Sequence, residues 1–95
     1  MVYEILINEV APEKRDEYIK AWKETWLKVK RPGCHGVRML SCIENPSRVI
    51  TQIAWDSVEA HNAAREIPGH GEIREMRTRF DVKGEGLAHY TYEDF

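Results

Sequence analysis

From Val2 to Val10 the chain alternates, with Tyr3, Ile5 and Ile7 on one side of an extended segment and Val2, Leu6 and Asn8 on the other. Both sides are mostly apolar, which predicts a strand covered on both faces. The period then changes. Pro12 opens a helix, where its missing N–H costs nothing, and Glu13 suits the positive end of the helix dipole. Over residues 12–30, Tyr18, Ile19, Trp22, Trp26 and Val29 fall within a band of about 100°, while lysines and glutamates fill most of the other side. Arg31-Pro32-Gly33 stops the helix, because the residue before proline is pushed out of the helical region.

Residues 34–44 predict a second strand, with Val37, Met39 and Ile43 on one face and Arg38, Leu40 and Cys42 on the other. Asn45-Pro46-Ser47 is a turn, and 48–55 a third strand with Val49, Thr51, Ile53 and Trp55 in one parity and Ile50 in the other. Asp56 and Glu59 match a capping box and open a short helix with the stripe Ala60, Ala63, Ala64 and Ile67. Pro68-Gly69 ends it. A further helical stretch over 70–79 sets Ile73, Met76 and Phe80 together, with Arg74, Arg77 and Arg79 around them as a solvated face. Residues 81–92 read as one long strand, with Val82, Ala88, Tyr90 and Tyr92 in one parity and Gly84 and Gly86 as the place for a bulge. The order β-α-β-β-α-β predicts an α+β, ferredoxin-like fold with an antiparallel four-stranded sheet. Two helices cover one face of such a sheet. The other face is also apolar, so a second copy related by a twofold axis is expected over it.

The 95 residues suffice for one domain, 1–95. A net charge of −2 argues against nucleic acid as partner. No apolar run reaches the roughly 20 residues of a membrane span, and the first residues carry no leader pattern, so a cytoplasmic setting is expected. Cys34 and Cys42 sit eight residues apart in one strand, about 26 Å, beyond the about 7 Å a disulfide allows. Neither cysteine has a metal-ligand spacing, and no metal site is expected.

Pro32-Gly33-Cys34, Ser41, Asn45-Pro46, the run Trp55-Asp56-Ser57-Val58-Glu59-Ala60-His61 and then His70 occur in an order and spacing that resemble the antibiotic biosynthesis monooxygenase superfamily. The resemblance covers nearly the whole chain. It implies a dimeric α/β barrel with one cavity per subunit. It also implies oxidation of phenols, anthrones or quinols by molecular oxygen without metal, flavin or haem, so no cofactor is expected. The chain departs from the pattern at Ile53, where many members carry glutamate. In the haem-degrading branch, the positions of the helix tryptophan and axial histidine fall on Ala64 and near Arg74, so haem chemistry is not expected.

Each candidate residue has two open readings. Trp22 and Trp26 are core packing or an aromatic wall for a flat ligand. Trp55 is junction packing or an N–H donor to a bound oxygen. His61, on the flank of its helix, is structural or a cavity-lining acid–base with a free pKa near neutrality. His70 is a surface residue or part of a lid, and Asn8 an edge satisfier or a donor to substrate. Arg38, among apolar neighbours, has a protein partner or a ligand anion. His89 shares parity with Lys83, Glu85, Thr91 and Glu93, which places it toward solvent or the rim. The leading expectation is a cofactor-independent monooxygenase of a small hydroxylated aromatic or quinol. His61, Asn8 and Trp55 would handle protons and the oxyanion, and Trp22, Trp26, Arg38, His70 and Tyr90 would bind substrate. The alternatives are a non-catalytic small-molecule-binding or stress-response dimer, and an isomerase or lyase on the same scaffold.

Overall fold

Strand β1 (Val2–Glu9) runs through the middle of the sheet in this computed structural model, which describes residues 1–84 and 87–95. It pairs antiparallel with β3 (Arg48–Trp55), Val2 opposite Trp55 and Glu9 opposite Arg48. β3 pairs antiparallel with β2 (Cys34–Ser41) through the Asn45-Pro46-Ser47 turn, where Asn45 Oδ1 accepts from the Ser47 N–H and hydroxyl. The predicted ferredoxin-like order is the observed one. The last strand differs: it is two short segments, β4 (Lys83–Gly84) and β5 (Ala88–Tyr90), both on the free edge of β1.

Those segments are out of step. Asn8 pairs with Gly84, whereas Ile5 pairs with Ala88, so β1 advances three residues while the other edge advances four. One extra residue reverses which side chains face the helices. Gly86, half of the expected bulge, lies outside the described residues together with Glu85.

Helix α1 (Arg15–Leu27) follows a 3-10 turn at Pro12–Lys14 and buries Tyr18, Trp22 and Thr25 against the sheet. Burying one indole, roughly 150–250 Å² at about 25 cal/mol per Å², contributes about 4–6 kcal/mol before chain entropy is counted. The helix ends earlier than predicted, and the buried Arg31 folds back on it. Its Nη1 donates to the carbonyls of Trp26 at 2.7 Å and Val29 at 3.0 Å. Helix α2 (Val58–Ala64) is capped by Ser57, not Asp56: the Ser57 hydroxyl accepts from the Ala60 N–H at 3.0 Å, and Asp56 pairs with His35. Gly33 has φ +85, and a Cβ there would lie 2.8 Å from the Cβ of Ala60, so glycine lets β2 start beneath α2.

Helix α3 (Glu72–Arg79) packs against α1 and buries Met76. All helices lie on one face of the sheet, over Leu6, Val49, Ile53 and Trp55. The other face carries Tyr3, Ile5 and Ile50, with Ile7, Leu40, Tyr90 and Tyr92 exposed. Among the described residues no helix is long and apolar enough to cross a membrane.

Candidate functional site

Glu4 points from β1 to the helix side, the same parity as Leu6 and Asn8, and is 6% exposed. The Trp55 indole Nε1 donates to its Oε1 at 3.0 Å. His61 Nε2 lies 3.3 Å from the same oxygen. The His61 ring stacks on the Trp55 indole, with centroids 4.8 Å apart and planes 16° from parallel. Ser57 fixes the start of α2, and the helix then turns His61 inward beside Ala64 while Ala63 faces solvent. His61 therefore sits in the core at 2% exposure, not on the helix flank.

His61 Nδ1 meets Nε2 of His89 at 2.7 Å. Nδ1 of His61 and Nε2 of His89 share one proton in a direction set by the ring tautomers, while Nε2 of His61 faces the Glu4 carboxylate. Burial, reinforced by Arg65, His89 and His70, pushes the His61 pKa down to about 4, so the ring is neutral near pH 7. Burial raises the Glu4 pKa, outweighing the Trp55 hydrogen bond and the pull of Arg65 and Arg77. Both contacts to Glu4 fall on Oε1, so Oε2 is the oxygen available as a proton acceptor.

Glu4 and His61 open on a cavity of about 630 Å³, within the range of small-molecule sites. His70 is on the same wall. Its Nδ1 accepts from Arg31 Nε at 3.0 Å, and burial, then Arg31 and Arg65, lowers its pKa. Arg31 also stacks on Trp26, its guanidinium carbon 3.6 Å from the ring centroid, which ties α1 to this wall.

The sequence-predicted residues do not form one constellation. His61 and His70 line the cavity, and Trp55 holds the back of Glu4. Trp22 and Trp26 stack on each other at 5.1 Å and line a separate groove of about 380 Å³, between α1 and β2, with Ile19, Val37 and Met39. Asn8 is buried; its Oδ1 accepts from Tyr18 at 3.5 Å, and among the described residues its Nδ2 has no partner. Arg38 and Tyr90 are corrected outright. Both are exposed on the face away from the helices, Arg38 opposite Gln52 and Tyr90 opposite Tyr3. The same one-residue shift that turns Tyr90 outward brings His89 in, so His89 belongs to the site and not to the rim.

Glu4 and Arg31 went unflagged by sequence reading. Glu4 did carry a signal: it is the lone carboxylate in the parity of Leu6 and Asn8, on a strand covered on both faces. Arg31 gave none, being masked by its role beside Pro32. Among the described residues no group of three His, Cys, Asp or Glu side chains is placed to hold a metal ion.

The antibiotic biosynthesis monooxygenase family model matches residues 1–76. A search of curated proteins finds no match. Among solved structures, a candidate antibiotic biosynthesis monooxygenase of Bordetella bronchiseptica is similar at TM-score 0.81 and 22% identity, over 97% of this chain and 96% of that one. One from Deinococcus radiodurans is similar at TM-score 0.79 and 14% identity, over 100% and 95%. SnoaB from Streptomyces nogalater, described as a cofactor-independent oxygenase, is similar at TM-score 0.76 and 14% identity, over 99% and 94%. At these identities the structural matches establish the fold.

Proposed function

This chain belongs to the antibiotic biosynthesis monooxygenase family, and we propose that it is a cofactor-independent monooxygenase of a hydroxylated aromatic or quinol, with Glu4 as the general base. The observation that carries the reading is a buried carboxylate of raised pKa, held by Trp55 and a neutral His61 at the edge of a cavity. Glu4 takes the hydroxyl proton of a bound phenol, and the electron-rich anion gives electrons to dioxygen. A peroxide forms on the ring carbon and takes that proton back. Glu4 then removes the C–H proton from the same carbon, the O–O bond breaks, and the outer oxygen leaves as water with that proton. Phenol and dioxygen thus become quinone and water, four electrons passing from ring to oxygen. His61 and His89 act as positioning residues that hold Oε1.

The active unit proposed is a homodimer closed through the outer sheet face, where Ile7, Leu40 and Tyr90 are exposed. Oxygen uptake by metal-free protein on a panel of naphthols, quinols and anthrones tests the reading. Uptake with quinone formed one-for-one is expected. Ligand-dependent melting shifts without uptake across the panel would replace the oxygenase with a binding protein.

A further inference from the structure

The cavity beside Glu4 is basic on one side. Helix α3 brings Arg74 and Arg77 to it from positions one turn apart, and Arg65 reaches it from just beyond α2. Arg79, on the other side of α3, does not line it. Among the described residues no carboxylate oxygen lies within 4.0 Å of these three guanidinium groups. Among the described residues the one acid of the wall is Glu4, which already accepts from Trp55 and faces His61. Arg77 is half-buried, beside the Tyr18 hydroxyl, and among the described residues its enclosed Nε has no hydrogen-bond partner. Three guanidinium groups with no carboxylate within ion-pair distance make this side of the cavity favourable for a bound anion. Apart from His61 and His70, the wall also has apolar side chains, Leu6, Ile73 and Leu87.

We propose that the occupant of this cavity is an aromatic oxyanion: a flat apolar ring against Leu6 and Ile73, bearing a carboxylate or phosphate group that Arg74 and Arg77 bind through their planar forks, with Arg65 at the mouth. The proposal rests on the oxygenase reading for the choice of reactive cavity, but binding is measurable without turnover. It also reassigns two of the arginines that the sequence pattern left as a solvated face.

Calorimetric titration with three redox-inert probes of one shape tests it: 2-naphthoate, 2-naphthyl phosphate and the neutral 2-naphthamide. At least one anion is expected to bind about tenfold more tightly than the amide, and the tighter anion identifies the headgroup. The exposed pair R65Q/R74Q, which leaves the core untouched, is expected to cut anion affinity about tenfold and leave amide affinity unchanged. R79Q, with a single cation removed off the cavity, is expected to change neither. Equal binding of anion and amide, no binding of any probe, or an anion preference intact in R65Q/R74Q overturns the proposal. Anion preference without oxygen uptake on any substrate defeats the oxygenase reading alone; uptake without anion preference defeats this one alone.

Discussion

The chemistry at Glu4 is set by burial acting against three neighbours, Trp55, Arg65 and Arg77. Burial raises its pKa, and the Trp55 N–H lowers it. Removing the donor with Trp55→Phe therefore raises it further, and the acid limb of the pH–rate profile is expected to move to higher pH, measured as oxygen uptake across pH. His61 gives a stability prediction. The unfolded ring takes a proton near 6.5, the folded one only near 4, so between those values acidification destabilises the fold, by up to about 3 kcal/mol over the whole window. Glu4 works the other way, because the fold holds its proton more tightly than the unfolded chain does. Glu4→Gln removes that offset. Its denaturation midpoint is expected to fall more steeply than the parent's from pH 6.5 to pH 4; an equal slope would show that the two groups are not coupled to folding as described.

At the scale of elements, the long-period pattern was legible because it is redundant. Tyr18, Trp22 and Trp26 repeat over three turns of α1, and no single neighbour can reverse that. The last strand was not legible because strand parity has no such redundancy. The register difference between the β4 and β5 pairings exchanges Tyr90 for His89 on the helix side, and with them one of the assigned site residues. Short α2 shows the same weakness: with seven residues, its alanines could not say that His61, and not Ala63, faces in. The β2–α2 contact is more exacting. Gly33→Ala places a methyl group against Ala60 at a positive φ, and a loss of about 1–3 kcal/mol is expected in chemical denaturation.

For the whole molecule, the outer sheet face is where a second copy is expected. Leu40 and Tyr90 are about half exposed in the single chain, at 46% and 51%, beside Ile7 and Tyr92. A twofold contact over that face would cover these apolar side chains. Sedimentation is expected to give about twice the 11.1 kDa chain mass. Leu40→Glu, at a position exposed in the monomer, is expected to give monomers that stay folded. The cavity lies on the opposite side of the sheet, lined by side chains of one chain, so ligand binding is expected to survive that substitution. Whether the cavity does chemistry comes down to its buried carboxylate. Oxygen uptake of metal-free parent and Glu4→Gln, on one active phenol, across pH, tests this most directly. The parent is expected to show an acid limb above the ordinary carboxylate range, and the variant a rate about 10²–10⁴-fold lower with that limb gone. A variant as fast as the parent, with the same limb, would contradict the account.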